Sequence, residues 1–421
     1  MQPSVRRRPL SLQPLGTRRH RPDYWLLLLS AMLLAIGVIV VYSISPALAV
    51  DRDTDGSFYV TRQLIAVGLG IVAFGITAAI PLESWRQLWK PLLVLAAVVT
   101  VVALFMPANP QYPAHRWIRL GSLSFQSVEL LKFALLIAIS AFLAERVKNG
   151  TLQNVKETLK PLLIGLVGIG VAVAWQQSDF GSMMVIVVMA SAMVFVAGLP
   201  MKRLLLIVMA LVVVAALAIS AVPYRRDRIA AFLHQGDTTN CVTLVTGYQA
   251  CQALVAIGSG GIMGLGLGRS VQAFGYLPEA ENDSIFAIYA EKFGFIGGIA
   301  LLGLLLALLT RLKRIMERTP DDFSRLIVTG VFTWFAVQAM INIGAMIGLL
   351  PLKGITLPFI SYGGTSVLFV MAAIGLVFQI SRYTLYSVPE ASSVNGGGGY
   401  DNRSDRRRVR GAYHPNPGRR A

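Results

Sequence analysis

The chain has 421 residues, of which 55% are apolar and only 14% charged, and its formal net charge is +17. A soluble globular domain is excluded, because such domains carry about a quarter charged residues. Nucleic-acid binding is not expected either, since the arginines of the two tails lack interleaved aromatics and a folded scaffold.

In chain order, residues 1–23 read as a basic cytoplasmic tail without apolar periodicity, carrying Arg6, Arg7, Arg8, Arg18, Arg19 and Arg21, and are expected to be disordered. Apolar runs of about 20 residues, the length of a spanning helix, follow near 24–49, 60–82, 91–107, 126–145, 160–176, 181–199, 203–222, 284–310, 326–350 and 365–387. The first is preceded by arginines and contains Ala47-Leu48-Ala49. From Trp25 to Tyr42, however, it exceeds the apolar core of a cleaved signal peptide and reads as a retained span. The fifth and sixth runs are short and close together, either two spans or one broken hairpin. Basic residues fall in alternate loops: Arg146, Lys148 and Lys156, then Lys202 and Arg203, then Arg311, Lys313, Arg314 and Arg318. All lie on one side with the tails if about ten helices start and end in the cytoplasm. The predicted fold is therefore an all-α polytopic membrane protein with both termini cytoplasmic. Its transmembrane domain covers 24–387, with one large extracytoplasmic loop at about 223–283 between the seventh and eighth spans. Residues 388–421, with NGGGGY and DNRSDRRRVRG, form a second basic tail expected to be disordered near anionic lipid headgroups.

The outward loops hold most of the polar chemistry. HRWIRLGSLSFQSVELLK carries Arg116 and Arg119, then Glu129 and Lys132 three residues apart on one helical face. That pair either lines a cavity or is a plain ion pair between helices. In QQSDFGS, Asp179 and Gly181 mark a break or a tight turn. The large loop begins with YRRDRIAAFLHQ, containing Arg225, Arg226 and Arg228. GYQACQALVAIGSGGIMGLGLG follows, with an apolar rhythm at Ala250, Leu254 and Ile257 that predicts a short helix on the membrane surface. Cys241 and Cys251 both fall in this loop, where the oxidising side of a membrane permits a disulfide; two unpaired thiols are the alternative. The loop ends in GYLPEAENDSIF, with Glu279, Glu281 and Asp283 clustered beside a span. Carboxylates there need compensation by water, a cation or a ligand. Asp283 reads either as the N-cap of the next helix or as part of an acid and arginine site for an anionic lipid headgroup. In such a site a carboxylate acts as general base or holds a divalent cation, Mg2+ or Mn2+, against phosphates. Last, LPLKGITLPFISYGGTSV presents Gly363 and Gly364 at a helix N-terminus, an anion-binding arrangement.

RWIRLGSLSFQSVELLK, QSDFGS, YRRDRI, GYQACQALVAIGSGGIMGLGLG, YLPEAENDSIFAIYAEKFGFIGG and QAMINIGAMIGLLPLKGITLPFISYGGTS, in that order, resemble the SEDS family (shape, elongation, division and sporulation) from the first span to Arg382. The resemblance implies a peptidoglycan glycosyltransferase of the bacterial cytoplasmic membrane. Such an enzyme polymerises lipid II into β-1,4-linked glycan on the outer face, the growing chain staying on undecaprenyl diphosphate. A class B penicillin-binding protein serves as transpeptidase partner. Asp283 matches the family's essential aspartate and is expected to be the general base. Glu279 matches the same motif as an orienting group or metal ligand. Glu129 and Lys132 match paired charges of the central cavity. Arg116 and Arg228 match basic positions expected to contact diphosphate, and Arg62, Lys353, Gly363 and Gly364 complete the expected substrate-contacting set. No organic cofactor is implied. Lys353, Thr356 and Leu357 fit the division branch, FtsW, better than the elongation branch, RodA, so a septal location among other division proteins is expected. The chain departs from the family in lacking a proline before Glu129 and in placing Glu281 where a histidine is usual, which should raise the pKa of Asp283. A lipid II flippase, favoured by a helix break near Asp179, and a non-catalytic division scaffold are the alternatives.

Overall fold

A computed structural model of the chain describes residues 21–51, 53–106, 117–120, 123–170, 172–173, 177, 179–220, 232, 245–351 and 354–384. Of the two tails expected to be disordered, residues 1–20 and 388–421 lie outside the described residues. A helix occupies each of the ten predicted apolar segments. These are α1 (Tyr24–Asp51), α2 (Phe58–Ala79), α3 (Leu82–Phe105), α4 (Ser127–Lys148), α5 (Lys160–Gly170), α6 (Phe180–Val196) and α7 (Met201–Ser220), followed by α9 (Ile285–Arg318), α10 (Asp322–Met346) and α11 (Gly364–Ile380). Among the described residues, seven are long and apolar enough to cross a membrane; α6 is apolar but shorter, and α5 has only 11 residues. Between α7 and α9 lies α8 (Val245–Gly260).

Three helices form the centre. The most apolar stretches of α4, α10 and α11 are 89%, 83% and 89% buried, against 28%, 17% and 22% for α2, α3 and α9. The first group is hemmed in by protein on all sides, whereas the second turns large apolar faces outward, such as Leu64, Leu69 and Val72 on α2 and Val94, Val98 and Val101 on α3. In a membrane those faces meet lipid, and helix association relies on close packing of small residues. Gly375 of α11 lies so close to Phe74 and Thr77 of α2 that no side chain fits there. At one end of the bundle, Arg86 of α3 pairs with Asp321 before α10 (2.9 Å), and Asp23 before α1 pairs with Arg311 of α9 (3.1 Å).

Three local features differ from the sequence expectation. The outer segment before α4 is a two-stranded antiparallel hairpin, β1 (Trp117–Leu120) with β2 (Leu123–Gln126), in a chain predicted to be all-helical. Its β-branched and aromatic residues satisfy their backbone by pairing locally, which a loop against a membrane requires. The surface helix α8 exists, but its buried side is Ala250, Ala253, Ala256 and Gly260, with Leu254 40% exposed. Small residues won because α8 packs on α9 so closely that a side chain at Gly260 would collide with the carbonyl of Ala290. Finally, α9 is not one continuous helix: Gly294 (φ 64°, ψ −164°) breaks it.

The loop between α10 and α11, which carries much of the outer polar surface, rests on α1. Gly37 faces the backbone of Phe359 and Ile360, where an added Cβ would come within 2.5 Å of the Phe359 carbonyl oxygen. Gly37→Val is therefore expected to destabilise the protein by about 1–3 kcal/mol through overpacking. A lowered midpoint of thermal unfolding in detergent checks this, and an unchanged midpoint contradicts it.

Candidate active site

The polar groups converge at one end of the bundle, where five helices meet: the starts of α2, α4, α9 and α11 and the end of α10. Their centre is the acidic segment ahead of α9. Glu279 adopts a left-handed backbone (φ 51°), and its carbonyl accepts from the N–H groups of Asn282 (3.0 Å) and Ser284 (3.1 Å), closing a tight turn. Its carboxylate accepts from the Asn282 side chain at 2.8 Å. The N-cap of α9 is Ser284 rather than Asp283, whose capping role the structure does not bear out. The Ser284 hydroxyl donates to Pro278 O (2.8 Å) and accepts from Gln249 of α8 (3.0 Å).

Three successive carbonyls of this turn are each held from the α10–α11 side. Glu281 O accepts from the Tyr362 N–H at 2.8 Å, Asn282 O from the Ser361 hydroxyl at 2.7 Å, and Asp283 O from the Asn342 side chain at 2.8 Å. Asn342 spends its second N–H on Ile355 O (2.7 Å), and Ser361 also accepts from the Leu357 N–H (2.7 Å). Phe359, in a left-handed conformation (φ 68°) and 2% exposed, shapes the loop that presents these donors. The main chain of Asp283 is thus fixed on both sides, and its side chain is partly buried.

A second cluster lies beside it. The Arg62 guanidinium donates to the Tyr362 phenol, which also feels Tyr59 and the buried Glu281. Burial pushes the Tyr362 phenol above its ordinary pKa, Arg62 pulls it partly back, and Tyr59 and Glu281 push it up again. The phenol therefore stays protonated at neutral pH. Glu281, which stands where the resemblance leads one to expect histidine, shares this arginine-containing group rather than standing as an isolated charge.

The third cluster is deeper. Glu129 and Lys132 form an ion pair of 2.8 Å within α4, both nearly fully buried. Lys132 also donates to Gln338 Oε1 of α10 (3.2 Å), which in turn accepts from the Trp334 indole (2.6 Å). The Gln338 amide donates to Thr356 O (2.8 Å) and Thr356 Oγ1 (3.0 Å), next to the Ile355 carbonyl that Asn342 holds. Gln338 and Asn342, one turn apart, thus link the ion pair to the turn of Asp283. Glu129 Oε2 has no hydrogen-bond partner among the described residues.

Of the other expected positions, Gly363 is the N-cap of α11 and Gly364 its first residue. Arg116, Arg228, Lys353 and Cys241 lie outside the described residues. Cys251 is disulfide-bonded. Asp179 caps α6, accepting from the N–H (2.9 Å) and hydroxyl (2.9 Å) of Ser182, so its turn role accounts for its burial. Among the described residues no three His, Cys, Asp or Glu side chains form a cation cage. A cavity of about 290 Å3 lies at the opposite end of the bundle, lined by Arg86, Asp321, Phe323 and Tyr383, away from all three clusters. Asn342, Gln338, Ser361 and Tyr362 received no role from sequence; the available signal was the polar pair one turn apart in an apolar helix.

The fold and these clusters define a polytopic membrane protein with a carboxylate site at the outer ends of its helices. A family model described as "Cell cycle protein" (FTSW_RODA_SPOVE) matches residues 24–386. "Stage V sporulation protein E" of Bacillus subtilis is 36% identical over 373 residues, 88% of this chain and 100% of that one. "Probable peptidoglycan glycosyltransferase FtsW" of Saccharophagus degradans is 37% identical over 367 residues, 86% of this chain and 93% of that one. Among solved structures, a chain from a peptidoglycan synthase complex that coordinates polymerization and crosslinking superposes with a TM-score of 0.69 at 26% identity, over 86% of this chain and 98% of that one. The rod shape determining protein RodA of Thermus thermophilus gives 0.62 at 27% identity, over 87% and 98%. The chain belongs to the FtsW/RodA/SpoVE family, the SEDS proteins.

Removing one member of the buried pair leaves an uncompensated charge. Lys132→Met is expected to cost about 3–5 kcal/mol of stability, and Glu129→Gln added to it should restore most of that. Denaturation midpoints of the single and double variants check this.

Proposed function

We propose that this protein polymerises lipid II into β-1,4-linked glycan at the outer face of the bacterial cytoplasmic membrane, with Asp283 as the general base. The protein is a peptidoglycan glycosyltransferase. The observation that carries the residue assignment is the triple anchoring of the Glu281–Asp283 main chain on the α10–α11 side, by Asn342 and by the loop whose Tyr362 phenol is bonded by Arg62.

In the reaction, the acceptor sugar 4-hydroxyl attacks the anomeric carbon bearing diphosphate. A C–O bond forms there, the bond to the diphosphate oxygen breaks, and the hydroxyl proton passes to Asp283. Undecaprenyl diphosphate leaves as an anion without protonation, so one base and cationic stabilisation suffice. Arg62 supplies part of that positive charge, with Arg116, Arg228 and Lys353 as further diphosphate contacts. The backbone N–H groups at Gly363 and Gly364 offer an anion-binding helix end. Glu279 keeps the turn closed through Asn282. Glu129 and Lys132 line the inner part of the same polar region. A divalent cation, if used, would take one or both of Asp283 and Glu279 together with substrate phosphates and water, as Mg2+ commonly does.

A class B penicillin-binding protein is the proposed transpeptidase partner, supported by the likeness to a chain of a complex that couples polymerization to crosslinking. Septal action with other division proteins is supported by the relatives named FtsW.

The test uses purified full-length protein with its partner, labelled lipid II and a divalent cation. Wild type is expected to give abundant glycan polymer on a gel and Asp283→Asn only a trace. Abundant polymer from both would rule out Asp283 as base. Lipid translocation across liposomes without polymer from either would favour transport.

A further inference from the structure

Glu291 and Lys292 are consecutive charges inside α9, 0% and 2% exposed, and belong to none of the three clusters above. Ionisable groups at such positions are costly and need a reason. The reason lies in the break at Gly294. In an unbroken helix the N–H groups of Phe295 and Ile296 would donate to the carbonyls of Glu291 and Lys292. Here they donate to Gly261 O (2.9 Å) and Ile262 O (3.2 Å) instead, while Glu291 O and Lys292 O accept from the N–H groups of Leu265 (2.9 Å) and Gly266 (3.0 Å). Residues 261–266 thus replace the helical bonds that the break removes. Gly264 (φ 85°) and Gly294 touch backbone to backbone, and neither has room for a side chain.

The side chains extend this clasp along the loop. Glu291 Oε2 accepts from the Ser270 hydroxyl (2.5 Å), and Oε1 accepts from the N–H groups of Val271 (2.8 Å) and Gln272 (3.2 Å). Lys292 Nζ donates to Leu267 O (2.7 Å). The anion meets the donor end of the turn 267–272 and the cation its carbonyl end. Beyond it, the Leu277 N–H donates to Gln272 O (3.0 Å), and the chain runs directly into the turn of Asp283. The acidic segment is thereby held between this clasp and the start of the same helix.

We propose that Glu291, backed by Lys292, is a positioning residue for glycosyl transfer: it fixes residues 267–272 on the break in α9 and so sets where Asp283 stands against the acceptor sugar. The inference rests on Asp283 being the base. Three donors converge on the Glu291 carboxylate, and a glutamine there offers a single acceptor oxygen and an N–H2 group facing donors.

Glu291→Gln, Lys292→Met and Asp283→Asn are made in the full chain, purified with the partner, and assayed with lipid II for kcat and KM; amide hydrogen exchange is measured on the same samples. Glu291→Gln is expected to lower kcat roughly tenfold, as displacement of a catalytic group does, with KM changed less than about twofold. Lys292→Met should shift kcat in the same direction. Peptides over 265–284 should lose exchange protection while those of α4 and α10 keep it. Wild-type kcat in Glu291→Gln, with Asp283→Asn nearly inactive, would overturn the proposal and leave the base assignment standing. Deprotection reaching α4 and α10 would also overturn it, making Glu291 a general stabiliser. Full activity of Asp283→Asn would refute the base assignment instead, and the exchange data would still decide whether Glu291 holds the loop.

Discussion

Near a bilayer, a backbone carbonyl that turns away from its helix must find a donor in the protein, because little water is there to replace one. The carbonyls of Glu281, Asn282 and Asp283 are in that position, and the Tyr362 N–H, the Ser361 hydroxyl and the Asn342 amide meet them one for one. Much of the surrounding structure serves those three bonds. The loop 355–362 must present two of the donors, so Phe359 accepts a left-handed backbone that costs of order 1 kcal/mol or more. Gly37 of α1 lets that loop settle directly on a helix. Asn342 must project from a buried helix, and its second N–H is taken up by Ile355 O rather than left to destabilise the interior.

The same economy governs the charges. Lys132 and Glu129 neutralise one another and are tied to α10 through Gln338, so a buried pair that would contribute little by itself joins two helices to the α10–α11 loop. Glu291 and Lys292 meet backbone groups freed by a helix break. Arg62 donates to the Tyr362 phenol, which also lies in the field of the buried Glu281. The irregular backbone at the turn of Asp283 and at the break in α9 is met by side chains and backbone groups from other parts of the chain.

Much of the architecture was legible in the sequence because a membrane span is a local signal. Length, apolarity and flanking arginines placed an apolar segment on each of the ten helices, although α3 begins nine residues before and α9 ends eight residues after the predicted bounds. The acidic turn was legible as well, since three carboxylates beside a span are conspicuous in a chain with few acids. What could not be read was partnership. Asn342 and Asp283 are 59 residues apart, and no spacing rule connects them. The break in α9 was hidden because Gly294 sits among other glycines and phenylalanines in an apolar run. The buried face of α8 was misread because size decides that contact: alanines fit against α9 where Leu254 does not. The hairpin before α4 was missed because its strands are four residues each, too short to stand out beside long apolar runs.

The central claim is that Asn342 acts through Asp283. The most direct measurement is the residual polymerisation rate of Asp283→Asn with and without Asn342→Ala, set against the effect of Asn342→Ala alone. If Asn342 works by holding Asp283, its loss slows the wild type but leaves the Asp283→Asn rate unchanged, the non-additivity expected of residues acting as a unit. An equal fractional fall in both backgrounds would show independent roles and contradict the account.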